Sequence, residues 1–440
     1  MIGVLLLQLA MAEGGWCPVP SARCPDTVDS IPALTLAEAL DRAVKLDPDY
    51  VRALGSVSEA DWSRKAARVA FFAPSLTAGV DITKYDEKFF NFGTLQLSAT
   101  SVTGHFDARY ELFSMRKIAE LGRTQAELEG ATATEVQRRY AAALLTESAF
   151  YGVLADDELA RVARGRAERA EAQLRLARAR VVSGAAVQSD SLTVRLELVR
   201  ARVDLLRAES SLRVARLELG RRVGVSGPVD AVPLSAAPPP GLPITQAEAI
   251  AQALEQGPEY RAARARERAA DAQLRGRRGA YLPTLTLTGS HTRFDTRFFP
   301  SAKNINSISL NISLPIWNNG DRELAIIQAR SDRDVARAFR TDLERAAYRD
   351  VTEAYDGYET ARAALVLAEE GLTVARENYR VQEARYKAGA TTVLDLLTAQ
   401  NGLSDAEAGV VQAHYAARLA LARLEAILGT RIGTTNGGRQ

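Results

Sequence analysis

The chain has 440 residues, 47% of them apolar, and a formal charge of +2 with basic and acidic residues interleaved along its length. That balance leaves no continuous basic surface for a polyanion, which excludes a nucleic-acid groove. No window after the first dozen residues approaches the roughly 18–20 unbroken apolar residues of a spanning helix, so any passage through a membrane falls to strands.

Ile2 to Ala12 is a short apolar run closing on Ala10-Met11-Ala12, the pattern of a secretory h-region with a small-residue cleavage site. Residues 1–12 therefore read as a signal peptide. No Lys or Arg precedes the run, a departure that points to a mis-assigned start or to residues missing upstream. Cys17 and Cys24, the two cysteines, fall in an irregular lead-in over 13–33. A local disulfide or two free thiols fits an exported chain better than lipidation of Cys17, which is preceded by Gly14-Gly15-Trp16.

The first periodic segment opens at Leu34, with Thr35 set as a cap and Glu38 three residues on, the spacing of a capping box. After Pro74 the period changes to two. Leu76, Ala78, Val80 and Ile82 alternate with Thr77, Gly79, Asp81 and Thr83, and Phe106, Ala108, Tyr110 and Leu112 alternate with Asp107, Arg109 and Glu111. These are strands with one apolar and one wet face. Leu95 to Thr100 alternates in the opposite phase, which predicts a bulge or turn near Ser101 to His105. Tyr85, Phe89, Phe90 and Phe92 read as an aromatic-bearing loop. A helical stretch of about 65 residues follows, roughly 100 Å long. Along it, Arg161 to Arg180 alternates Arg with Glu and Ala as a solvated face. It breaks at Ser183-Gly184-Ala185, and a helix with the stripe Leu198, Leu205, Leu212 and Leu219 returns.

Residues 224–243, with Pro238-Pro239-Pro240, form a linker. The pattern then starts again. Ile244-Thr-Gln-Ala-Glu-Ala lies over Leu34-Thr-Leu-Ala-Glu-Ala, Pro283 over Pro74, Arg385-Tyr-Lys-Ala-Gly-Ala over Arg180-Val-Val-Ser-Gly-Ala, and Asp395 over Asp190. The chain is therefore a tandem duplication, with repeats over 34–223 and 244–429 and a disordered tail over 430–440. In the second repeat Leu285 and Leu287 mark one strand and Ile308 to Ile316 another, joined by a loop bearing Phe294, Phe298 and Phe299. The long helix carries two stripes at seven-residue spacing, Leu365, Leu372, Tyr379, Tyr386 and Leu367, Val374, Val381, Ala388. Two seams on one helix require neighbours on both sides, and abundant Ala lets such helices sit close.

The fold class is thus mostly α with a small β part: two long coiled-coil hairpins and four amphipathic strands. Four strands cannot close a barrel alone, and lipid does not tolerate an open sheet edge. Either several copies pool their strands, or the strands form a small sheet at one end of a coiled-coil scaffold.

The order of these features, with Leu314-Pro-Ile-Trp-Asn-Asn-Gly320 and Arg385-Tyr-Lys-Ala-Gly-Ala-Thr-Thr-Val-Leu-Asp395, resembles the TolC-like outer-membrane efflux family over about residues 34 to 429. The resemblance implies a homotrimer in outer-membrane lipid, with a twelve-stranded β-barrel continued through the periplasm by an α-helical barrel. It further implies a passive duct working with a periplasmic adapter and an inner-membrane pump in efflux or type I secretion. The hairpin tips, Arg180, Ser183, Gly184, Ala185 and Arg385, Ala388, Gly389, Ala390, match the family's adapter-docking turns. Asp190 and Asp395 match its acidic periplasmic gate, where each could equally serve its own helix N-terminus. Thr391 stands where the family's best-known lock has an Arg. Leu112-Phe-Ser-Met-Arg116 lacks the Gly that opens the corresponding helix of the second half.

No clustered chemistry accompanies these features. His105, His291 and His414 are scattered, and no phosphate loop, dinucleotide fingerprint or zinc spacing occurs. Neither an enzyme nor a bound cofactor or metal is expected. A periplasmic adapter or scaffold is the competing reading, set apart by its single hairpin against the two found here.

Overall fold

The computed structural model describes residues 31–91, 95–234, 240–295 and 303–432. The expected signal peptide, Cys17 and Cys24 lie outside the described residues. In chain order the elements are β1 (Ala33–Leu34), α1 (Leu36–Leu46), α2 (Pro48–Phe72), β2 (Ser75–Asn91), β3 (Gln96–Phe113), α3 (Met115–Val182), α4 (Gln188–Arg222), β4 (Asp230–Ala231), α5 (Gln246–Gln256), α6 (Pro258–Arg278), β5 (Thr284–Asp295), β6 (Lys303–Ser313), α7 (Asp321–Lys387) and α8 (Val393–Leu428).

Both predicted capping boxes form. Thr35 and Thr245 accept from the backbone N–H of Glu38 and Glu248, whose carboxylates accept in return from the cap N–H. The helices that follow α1 and α5 each begin at a proline, where the missing N–H goes unused. The two long helices have 68 and 67 residues. They start differently, as the absent glycine foretold. At α7, Asn319 and Gly320 take left-handed backbone angles (φ 59° and 84°), whereas Ser114 opens α3 in extended conformation.

Strands β2, β3, β5 and β6 form one antiparallel sheet in that order, and β1 pairs in parallel with β4. The lead-in and the linker therefore touch through a two-residue strand each. The irregularity expected near Ser101 to His105 lies elsewhere. Strand β3 runs unbroken through these residues, while on β2 the register jumps between Lys84, opposite Thr100, and Phe89, opposite Ser98. The extra residues bulge from β2. Tyr85, Phe89, Phe90 and Phe294 belong to the strands rather than to loops. Phe92, Phe298 and Phe299 lie outside the described residues.

The helices stand side by side. Helix α3 is central, packing on α2 and α6 along its first half and on α4 and α8 along its second, while α7 packs on α6 and α8. Small residues set the α3–α6 spacing: a Cβ at Gly276 would lie 3.1 Å from Ala119, one at Gly130 3.4 Å from Ala265, and one at Gly122 3.7 Å from Ala272. The predicted stripe on α4 is internal, with Leu212 and Leu219 buried in one core cluster and Leu198 buried in a second, against which Leu205 packs.

Each level thus runs from a first-half element to a second-half one: β2 to β6 in the sheet, α2 to α7 below it, and α4 to α7 at the hairpins. Both outer edges are apolar. On α7, Leu365 is buried but Leu367 and Val374 are 67% and 65% exposed, and α2 presents Trp62, Val69 and Phe72. On α4, Leu192, Leu196, Val199, Val203 and Leu206 repeat a second seam facing away from α3.

Candidate functional site: the sheet face and the hairpin tips

The sheet separates its side chains by alternation. Ser75, Thr77, Asp81, His105, Asp107, Arg109 and Glu111 share the polar face with Thr286, Thr288, Ser290, Ser307, Ser309 and Asn311. His105 lies over Gly79 there, with Nδ1 3.4 Å from Asp81 and Nε2 4.0 Å from Asp107. Among the described residues no group of three His, Cys, Asp or Glu is placed to hold a metal ion, and no helix is long and apolar enough to cross a membrane.

The opposite face carries an apolar band that crosses the strands on a slant. One register row joins Leu76, Ala108, Gly289 and Ile308. Above that row β2 continues apolar through Val80 and Ile82, whereas β6 turns polar at Asn306 and Asn304. Below it β2 ends, whereas β6 continues through Leu310 and Ile312 into Leu314 and Ile316, all exposed. A band of constant height crosses strands in this way when they are inclined to it, as in a membrane barrel with strands tilted by about 35–45°. From Ile308 to Ile312 the band extends roughly 13 Å along the strand, and the strand expected to reach Ile316 is shorter, since β6 ends at Ser313.

At the other end, the two hairpin tips have the same construction. Gly184 and Gly389 take φ of +74° and +79°. The next N–H, of Ala185 or Ala390, donates to the carbonyl of Arg180 or Arg385 at 2.8 Å. Each arginine also reaches across its own turn, to Ala185 O at 3.4 Å and to Ala390 O at 3.5 Å. The Ser183 hydroxyl donates to Arg180 O at 3.0 Å, a bond Ala388 cannot make.

The tips differ in what else they hold. The Arg180 guanidinium stacks 4.6 Å from the Tyr386 ring and donates to the Tyr386 carbonyl, tying the first hairpin to the second. Two helical turns further back, at the same junction, Gln173 donates to the Tyr379 hydroxyl at 3.3 Å. Burial raises the Tyr386 phenol above its usual range, Arg180 opposes that rise, and the charge of Asp190 adds to it. Sequence reasoning placed Tyr386 in a seam and missed this contact, because the pairing crosses the two halves.

The two acidic positions also part company. Asp395 is the third residue of α8, and its carboxylate accepts from the hydroxyls of Thr392 (2.7 Å) and Thr391 (2.8 Å) and from the Thr392 N–H (3.2 Å). The Thr392 hydroxyl foremost, then Thr391, holds its carboxyl below the usual range. Asp190 occupies the same place on α4, whose cap Val187 has no hydrogen-bonding side chain.

The sequence profile of the outer membrane efflux protein family matches residues 39–225 and 249–430, one stretch in each half. The chain belongs to this family. As a member of an efflux family rather than an enzyme family, it is similar to the outer membrane efflux protein BepC of Brucella suis, at 29% identity over 55% of this chain and 53% of BepC. It is also similar to the pyoverdine export outer membrane protein OpmQ of Pseudomonas aeruginosa, at 28% identity over 64% of this chain and 58% of OpmQ. The chain spans between half and three fifths of the length of these two relatives. The fold is that of the Campylobacter jejuni CmeC outer membrane channel (TM-score 0.78, 14% identity, 91% of this chain and 87% of that one). It is equally that of the Vibrio cholerae outer membrane protein VceC (TM-score 0.75, 17% identity, 90% and 96%).

Proposed function

We propose that the chain is one protomer of a passive outer-membrane duct, exported by a signal peptide at residues 1–12 and built from repeats over 34–223 and 244–429 joined by the 224–243 linker. The slanted apolar band on an open-edged sheet carries this reading. Its four strands expose unpaired backbone at β2 and β6, which lipid forbids, and copies joined β6 to β2 remove both edges. The same head-to-tail step brings α7 of one copy against α2 and α4 of the next, covering the apolar seams on all three. Two copies would give an eight-stranded barrel filled by its own side chains, whereas three give twelve strands and a wet lumen. A homotrimer follows, with the polar face inside and the long helices continuing the duct into the periplasm.

The hairpin tips then form the periplasmic entrance. Arg180, Ser183, Gly184 and Ala185, with Arg385, Ala388, Gly389 and Ala390, offer the turns on which a periplasmic adapter docks, linking the duct to an inner-membrane pump. Three copies of Asp190 and Asp395 ring the opening, and the pump selects the cargo. Purification from membranes in detergent, with native mass and planar-bilayer conductance as readouts, tests the reading. A trimer with discrete conductance is expected. A water-soluble, non-conducting protein would overturn it in favour of the coiled-coil scaffold.

A further inference from the structure

Two carboxylates lie buried far from the barrel and from the hairpin tips. Glu147 on α3 and Glu425 on α8 have side chains 3% and 6% exposed, and both pair with one guanidinium nitrogen of Arg431, at 2.7 and 2.9 Å. Arg431 follows the end of α8, where Gly429 takes a φ of +69° and turns the chain back beside Pro258. The residues around it are fastened as well. Gln252 of α5 donates to the Thr430 hydroxyl at 2.9 Å, the Ile432 N–H donates to Glu425 at 2.8 Å, and Ile432 packs on the core of Ala249, Val351 and Leu424. The tail expected to be disordered from residue 430 thus begins with three bonded residues.

We propose that Thr430 to Ile432 form a clasp that locks α3 to α8, with Arg431 as the shared counter-ion of Glu147 and Glu425. Like charges this close in a buried site are strongly unfavourable unless a cation sits between them. Among the described residues, the further charged and titratable groups acting at the site are Tyr151 on α3 and Arg418 on α8; α5 brings the uncharged Gln252. Burial holds Glu147 above the usual carboxyl range, Arg431 draws it back and Glu425 pushes it up. Without Arg431, Glu147 is therefore the group that takes a proton as the pH falls.

Arg431→Ala, Arg431→Lys and the triple variant Glu147→Gln/Glu425→Gln/Arg431→Ala, made in the full chain, test the clasp by apparent melting in detergent from pH 5 to 8. Hydrogen exchange of the last turn of α8 supplies a second readout. Arg431→Ala is expected to melt roughly 5 °C lower at pH 8 and to exchange faster there, with the deficit shrinking towards pH 5. Arg431→Lys recovers part of the loss. The triple variant melts near wild type at every pH, because neutral amides need no counter-ion. An Arg431→Ala protein that melts like wild type at pH 8 overturns the clasp, as does a triple variant no more stable than the single one. Should Arg431→Ala fail to accumulate, accumulation of the triple variant supports the clasp and its absence overturns it.

Discussion

The guanidinium of Arg180 lies against the ring of Tyr386 at 4.6 Å and donates to the same residue's carbonyl, so one side chain from the first hairpin grips the tip of the second. Its counterpart Arg385 reaches Ala390 of its own turn, on α7 at the edge of the protomer. The contact is therefore an asymmetric tie, and in the proposed duct it sits where the hairpins would separate for a wide entrance.

Arg180→Ala should loosen that tie. A cation–π contact and a charge-assisted hydrogen bond together contribute about 2 kcal/mol, which corresponds to a roughly 30-fold change in the ratio of closed to open entrance. Single-channel recording should show longer or more frequent open periods for Arg180→Ala, with an unchanged melting temperature of the barrel. Unaltered gating would mean that the tips are held by other contacts.

Asp190 and Asp395 should behave differently despite their equivalent positions. The Asp395 carboxylate accepts from Thr391 and Thr392 and keeps its charge, so Asp395→Asn should weaken the start of α8 as well as lower the cation preference. A carboxyl held below its usual range contributes stability above the unfolded value near 4 and loses it as the pH falls through the folded value. The stability gap between Asp395→Asn and wild type should therefore persist from pH 5 to 8 and close only below about pH 4. Asp190→Asn, with no cap bonds to lose, should lower the cation preference measured by reversal potential without weakening the start of α4.

The strands, the long helices and their seams were legible in the sequence because each follows from a local period, and the capping boxes because all their partners lie within three residues. The position of the bulge was not, since the extra residues sit on β2 while the alternation that suggested an irregularity was read on β3. The Arg180–Tyr386 contact joins residues 206 apart, and the Glu147–Arg431–Glu425 cluster spans α3 and the tail, so neither leaves a periodic trace. The distinction between Asp190 and Asp395 was within reach: Thr391-Thr392 precedes one acid, and Ala186-Val187 stands in the same place before the other.

Close packing sets the spacing of α3 and α6. Ala272 is fully buried against Gly122, and Ala272→Leu would force three additional carbons into that gap. The expected loss is about 1–3 kcal/mol, read as a lower melting midpoint. Ala280→Leu, exposed just beyond the same helix, should be neutral.

The outward seam of α7 should govern assembly. Leu367 and Val374 face solvent in the protomer, and burying such a side chain contributes about 1.5–3 kcal/mol. Leu367→Asp with Val374→Asp would place charges at every copy-to-copy contact, and native mass in detergent should shift from trimer to monomer. Arg376→Asp on the same helix serves as the control for added negative charge. A double variant that remains trimeric would place the interface elsewhere.

The slant of the apolar band makes the sharpest demand on the barrel. Val80 and Asn304 belong to one register row, through Gly104 and Arg293, yet an inclined sheet sets them at different depths. Val80 lies within the apolar run of β2, whereas Asn304 lies beyond the last apolar residue of β6. An arginine on the lipid face costs about 2–4 kcal/mol at the midplane and about 0–1 near the interface. Val80→Arg should therefore reduce the heat-resistant trimer recovered from membranes, and Asn304→Arg should leave it unchanged. Equal losses from both would mean that the strands stand upright in the bilayer or that this face does not meet lipid, because depth alone distinguishes two positions that share a row.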